Sequence, residues 1–179
     1  SLRESPWVGF ENFKFLFASK DAWLITRNTI LYNVVFLAFN LFFAIAFAII
    51  MSELRNRRLV KVYHTMSLLP YFLSWMVINY FVYAFLSPDK GILNQWITGN
   101  GGTMINWYAD PRWWPVIFVF LNVWKSLGYN SIIYYASVMG IDPTYYEAAM
   151  VDGANKWQQI KNVTIPQILP MMSVLLILN

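Results

Sequence analysis

Lys125 is the residue whose chemistry is hardest to place. It stands near the middle of an apolar run, 113–139, that carries no other charge. A charge at membrane depth costs at least about 2.5–3.5 kcal/mol, so it needs a partner or a watery path. Asn122 and Tyr129 lie three before and four after it, on the same helical face. That stripe could line a polar path through the membrane and hydrogen-bond the hydroxyls of a polar solute. The same Lys125 could instead hold two helices together by capping backbone carbonyls. A second stripe, Trp75, Asn79 and Tyr83, repeats every four residues in the run 63–86. Aromatic faces stack on sugars and amides bond hydroxyls. Packing and an interfacial aromatic belt account for the same residues more often.

These side chains need spanning helices to position them, and the composition supplies them. Of 179 residues, 58% are hydrophobic and 12% charged. Soluble domains carry about 25% charged residues. The mean hydropathy is +0.44. The chain reads as an all-α, polytopic transmembrane helix bundle forming one domain. Cysteine is absent, and the lone His64 has no grouped carboxylates, so no thiolate or histidine metal site is expected and no cofactor in this chain. The net charge of +4 is concentrated in one loop, which argues for membrane topology over nucleic-acid binding.

Residues 1–22 are mixed, with Phe10, Phe13, Leu16 and Phe17 at helical spacing, and read as an external, interfacial segment, with a connecting helix packed on the bundle as an equal alternative. The run 29–51 is uncharged and 23 residues long. At roughly 1.5 Å per residue it can cross the hydrocarbon core. The runs 63–86 and 113–139 are read as further spanning helices, and 165–179 as the start of another. That last run is 15 residues, short of the roughly 20 a span needs. With no basic leader at Ser1, the chain is expected to be part of a longer protein. Asn33 and Asn40 share a face of the first span and suit interhelical hydrogen bonds; Ala44 and Ala48 suit close packing. Pro70 is expected to kink its helix.

Charge sets the orientation. The loop 52–61 holds Arg55, Arg57, Arg58 and Lys61 against Glu53 and is read as cytoplasmic. The loop 87–112 balances Lys90 and Arg112 against Asp89 and Asp110, so it is read as external. Counting spans then returns the loop 140–164 to the cytoplasm.

That loop carries the chain's most informative motif. Glu147-Ala148-Ala149-Met150-Val151-Asp152-Gly153-Ala154 is followed by Val163-Thr164-Ile165-Pro166. Asp142-Pro143 can cap and start a helix. Thr144 to Val151 supplies two turns, Asp152-Gly153 ends them, and 154–162 suits a second short helix. Pro166 is expected to restart a helix at the membrane. Small alanines allow close approach, and Glu147 can pair with a cation across an interface. A helix-turn-helix lying on the membrane surface is the plainer alternative.

The spaced set, with Gly153 six residues after Glu147, resembles the EAA coupling loop of permease subunits in bacterial ABC importers. Asn28-Thr29, Leu68-Leu69-Pro70, Gly91-Ile92-Leu93-Asn94 and Gly128-Tyr129-Asn130 are similar to the carbohydrate-uptake branch. Ile141-Asp142-Pro143, Tyr145-Tyr146 and Trp157-Gln158 look most like permeases for oligosaccharides or polysaccharide fragments. The resemblance implies the type I importer permease fold in a bacterial cell membrane. It implies Glu147, Ala148, Ala149, Asp152, Gly153, Ala154 and Pro166 as residues coupling to an ATPase. It also implies, as partners, an ATPase dimer, a second permease subunit, an extracytoplasmic sugar-binding protein and a sugar or oligosaccharide, in contact with membrane lipid. No Gly-x-x-x-x-Gly-Lys-Ser/Thr phosphate loop is present, so ATP hydrolysis is expected of another chain. An intramembrane enzyme has no support: Lys125 and Ser126 are adjacent and point to different sides, and no acidic residue lies inside a run. A channel or scaffold without an ATPase is the remaining alternative.

Overall fold

The computed structural model describes residues 9, 10, 14 and 20–178. The interfacial helix expected in 1–22 therefore lies almost wholly outside the described residues. Every regular element among them is helical. In order these are α1 (Lys20–Glu53), α2 (Arg57–Leu68), a 3-10 turn (Leu69–Phe72), α3 (Trp75–Leu86) and α4 (Ile92–Gly99). They are followed by α5 (Trp114–Met139), α6 (Pro143–Val151), α7 (Lys156–Gln159), a π turn (Ile160–Thr164) and α8 (Ile165–Leu178). Helix dominates because lipid offers no partner for an open backbone group.

The chain divides into two units, Ser1–Val35 and Phe36–Asn179. In the first, Asp21 in the opening turn of α1 suits the positive end of the helix dipole. Asn33 spends its amide on its own helix, donating to the Thr29 carbonyl at 2.8 Å.

The second unit holds two apolar cores. In one, Ala44 and Ala48 are fully buried against Tyr134, Val138, Ile168 and Leu175. The two alanines let α1 approach closely, as their spacing suggested. In the other, Ile78, Val82 and Leu86 of α3 pack with Trp107, Ile117 and Leu121.

Among the described residues three helical stretches are long and apolar enough to cross a membrane: Asp21–Glu53, Trp114–Met139 and Lys156–Leu178. The run 63–86 departs from expectation. It is no straight span but two helices, Arg57–Phe72 and Trp75–Leu86, bent by 100°. Pro70 sits at the start of the 3-10 turn, where its missing N–H is harmless. Leu73 is extended, and Ser74 caps α3 by accepting from the Val77 amide at 3.3 Å. Pro70 thus contributes to a full break rather than a kink. The last spanning stretch begins earlier than expected, at Lys156, and runs through the π turn; regular α-helix resumes at Ile165, with Pro166 as the second residue of α8. The loop 87–112 contains the unanticipated helix α4.

Candidate functional site

Two constellations concern function. The first surrounds the break. A 3-10 turn followed by an extended residue leaves carbonyls without helical partners, which is costly at membrane depth. Lys125 of α5 supplies the missing donors. Its Nζ donates to the carbonyls of Tyr71 at 2.9 Å, Pro70 at 3.4 Å and Leu73. The ammonium also lies 5.9 Å from the Tyr71 ring centre and 5.5 Å from that of Trp75. Tyr129 stacks on Tyr71 at 4.7 Å and 9°. Of the two uses open to Lys125 from sequence, capping carbonyls is the one realised.

Close packing holds this arrangement. Gly128 is buried where α5 meets α2; a Cβ there would run into the backbone of Ser67 and Leu68. Three residues before Lys125, Asn122 faces elsewhere. Its Oδ1 accepts from Asn40 Nδ2 at 2.8 Å, and Ser126 Oγ lies 2.8 Å from Asn40 Oδ1. Asn40 is therefore the interhelical bond that the pair Asn33 and Asn40 promised. The structure brings Lys125, Trp75 and Tyr129 together with Tyr71, which sequence reasoning missed. Asn122 joins a separate polar knot, and Asn79 is exposed on α3 with no hydrogen bond among the described residues.

The second constellation is the loop 140–164. Asp142 caps α6, its Oδ1 accepting from the Thr144 hydroxyl at 2.7 Å and the Thr144 amide at 2.9 Å. The hydroxyl first, then the amide, holds this exposed carboxyl below the usual carboxylate range. Gly153 ends α6 at φ +79°, a conformation other residues adopt at a cost. Its amide bonds to Met150 O at 3.0 Å, and the Ala154 amide to Ala149 O at 2.9 Å. These two bonds form a Schellman motif, which satisfies carbonyls at the helix end.

A second cap follows at once. Asn155 Oδ1 accepts from the Gln158 amide at 2.9 Å, while Gln158 Oε1 accepts from the Asn155 amide at 2.8 Å. This capping box starts the final helix. The Gln159 side chain, buried, donates to Ala154 O at 3.0 Å. Tyr146 and Thr164 hydroxyls meet at 2.9 Å and tie α6 to the π turn. Lys156 pairs with Glu53 at 3.0 Å, but both are exposed, so the pair contributes at most about 1 kcal/mol.

The turn so built presents an unusual surface. Val151 is 88% exposed and Trp157 72%. Tyr145 and Met150 are also exposed beside them. Glu147, Ala148, Asp152 and Gly153 are exposed, and Ala149 and Ala154 are half-buried against the turn. The Glu147 carboxylate has no partner among the described residues. Pro166 is the second residue of α8. Apolar patches of this kind rimmed by polar groups mark interaction sites. Among the described residues no group of three or more His, Cys, Asp or Glu could hold a metal.

Known proteins resemble this chain in sequence and fold. The chain is 32% identical, over 98% of its own length and 54% of the relative's, to the polygalacturonan/rhamnogalacturonan transport system permease protein YteP of Bacillus subtilis. It is 30% identical to Protein LplB of the same organism, over 98% of this chain and 55% of that one. The chain spans about half the length of the curated relatives it matches. Its fold matches a chain from the crystal structure of a bacterial ABC transporter involved in the import of the acidic polysaccharide alginate. The TM-score is 0.91 at 34% identity, covering 98% of this chain and 61% of that one. Residues 24–179 match the family model of the binding-protein-dependent transport system inner membrane component. A chain built of spanning helices, a doubly capped polar loop and an exposed apolar turn thus belongs to the family of binding-protein-dependent transport system inner membrane components.

Proposed function

We propose that this chain is the membrane-spanning part of an ATP-driven importer, forming with a second permease subunit the path for a sugar or oligosaccharide. The observation that carries this is the turn at Asp152–Gly153. It shows Val151, Trp157 and Met150 exposed on the same turn as an unpartnered Glu147, on the side that the basic loop 52–61 and the count of spans assign to the cytoplasm. An ATPase subunit with an apolar cleft and a cation for Glu147 fits that surface. The residues that bear on coupling are Glu147, Ala148, Ala149, Asp152, Gly153 and Ala154. Pro166 bears on it only through the helix that contains it.

The substrate class is supported by two of the similar proteins, the polygalacturonan/rhamnogalacturonan permease YteP and the importer of the acidic polysaccharide alginate. The exposed rings of Trp75 and Tyr129, with Asn79 one turn beyond Trp75, offer stacking faces and an amide for a sugar. Lys125 acts behind them, holding the break that positions Trp75. ATP hydrolysis belongs to partner chains, and the sugar is delivered by an extracytoplasmic binding protein. Work is done by conformational change, each ligand favouring the state it binds better.

The test is co-purification of the full-length protein with its ATPase, wild type beside Glu147→Lys and Gly153→Pro. Retention by wild type and loss in either variant supports the coupling reading. An ATPase that never co-purifies, under gentle conditions with the neighbouring subunits co-expressed, overturns it in favour of a channel or scaffold.

A further inference from the structure

A groove of about 360 Å³ lies between the length of α2 and the facing stretch of α5. Its charge is graded. Arg57 and Lys61, with Val60 and Tyr135 between them, stand at one end, His64 and Thr65 in the middle, and Leu68 with Ile132 at the other end. The α2 residues recur at 57, 61, 64, 65 and 68, one face of a helix. Arg57 Nη1 donates to the Tyr135 hydroxyl at 3.0 Å, which fixes the guanidinium against the far wall with donors to spare. The His64 ring is packed between Phe47 and Tyr135, at 5.9 and 4.8 Å, and fills the middle of the wall. Neither Arg57 nor Lys61 meets a carboxylate among the described residues; the ion pair found there joins Lys156 to Glu53.

We propose that this groove binds an anionic phospholipid of the cytoplasmic leaflet, with its phosphate between Arg57 and Lys61 and an acyl chain along Leu68 and Ile132. The grading decides the class of ligand. A free phosphate needs only the two cations and leaves the apolar end unused. A sugar needs hydroxyl partners along its length, and Leu68 and Ile132 provide none. A phospholipid changes from charged to apolar in the same direction as the groove. Basic pockets between membrane helices on the cytoplasmic side recognise headgroups in this way. The orientation comes from the excess of Arg and Lys at 55–61, so the site rests on membrane topology and is independent of the importer reading.

The experiment uses the full-length protein with its partner subunits in nanodiscs of phosphatidylcholine, with or without phosphatidylglycerol. Native mass spectrometry counts the retained lipid. The wild type should keep phosphatidylglycerol in preference to phosphatidylcholine, and Arg57→Lys with Lys61→Arg should keep it too. The double variant Arg57→Gln with Lys61→Gln should bind it about thirtyfold more weakly, the loss of two juxtamembrane charges. Equal retention by the neutral and wild-type proteins overturns the proposal. Displacement by inorganic phosphate, or by a galacturonate oligosaccharide, assigns the groove to a soluble anion and also overturns it. A phosphatidylglycerol photoreactive in its acyl chain gives a readout on wild type alone. It should label peptides containing Leu68 or Ile132, and labelling confined to other helices overturns the lipid assignment.

Discussion

Lys125 Nζ lies 2.9 Å from the carbonyl oxygen of Tyr71, 54 residues earlier in the chain. The half-buried cation and the broken helix explain each other. The break needs donors that lipid cannot give, and the cation needs acceptors that lipid cannot give. A lysine conspicuous in sequence as a charge inside a membrane is, in the fold, a cap for a helix end.

Replacing it tests this directly. Lys125→Met keeps the length and removes every donor. It should destabilise the protein by on the order of 1–3 kcal/mol, the cost of buried carbonyls left without partners. Thermal unfolding in detergent measures it, and Asn79→Ala, on an exposed side chain, should leave the midpoint nearly unchanged. An unaltered Lys125→Met midpoint would show that the carbonyls find other donors.

Gly128 makes a sharper prediction. A methyl there meets the Ser67 and Leu68 backbone, which cannot move aside as a side chain would. Gly128→Ala should cost about 1–3 kcal/mol through overpacking. Gly99→Ala is the control, because a Cβ there meets nothing within 4 Å. It should be neutral or slightly stabilising, and a melt of the two variants side by side separates them.

At Gly153 the conformation itself is the constraint. With φ at +79°, Gly153→Ala should cost about 1–2 kcal/mol although open space surrounds the site. Hydrogen exchange should speed at the amides of Gly153 and Ala154, which close the Schellman motif. Faster exchange spread evenly over α5 would contradict this local account.

Asp142 gives a pH dependence with a defined sign. Its carboxyl is depressed in the folded state by Thr144. Its contribution is therefore present above the unfolded value, about 3.9, and is lost as pH falls through the lower folded value. The first turn of α6 should loosen in acid below that range, and Asp142→Asn should cap the helix without this pH response. Amide exchange at Thr144, referenced to the Asn variant at each pH, reads the difference.

Asn94 organises the loop 87–112 in a way that its place in a Gly-Ile-Leu-Asn motif did not reveal. It is buried, and its amide nitrogen donates to Ile105 O at 2.8 Å and Pro88 O at 3.1 Å, with Ser87 O at 3.4 Å. Its oxygen accepts from the Ile105 amide at 3.1 Å and Trp107 Nε1 at 3.2 Å. Asn94→Ala should strip several partners at once and expose the loop to protease added from that side. Cleavage within 87–112 in the variant, and not in wild type, is the expected result.

What could be read from the chain divides along physical lines. Local signals were legible. Asp142-Pro143 and Asp152-Gly153 act on their own backbone neighbours, so the ends of α6 could be read from adjacent residues. The long apolar runs around α1 and α5 were legible because burial in lipid acts on every residue. The break at 69–74 was hidden, because an apolar run reports depth and says nothing of direction. The onset of the last helix at Lys156 was hidden for the opposite reason. Lys156, Gln158, Gln159 and Lys161 form helix readily but are polar, and polarity near a membrane reads as loop. The partners of Lys125 lie 52–55 residues away, a distance that only the fold closes.

The Asn94 cluster has a consequence for how the protein is made. None of its side-chain hydrogen bonds reaches farther than 13 residues along the chain. Gly91, which has no room for a Cβ beside Ser87 O, closes the same stretch. Contacts so near in sequence form quickly, because little chain entropy must be surrendered to close them. The segment between α3 and α5 can therefore fold as soon as it emerges from the biosynthetic machinery. A small finished knot too polar to slip back would then fix the topology of both flanking helices before they meet.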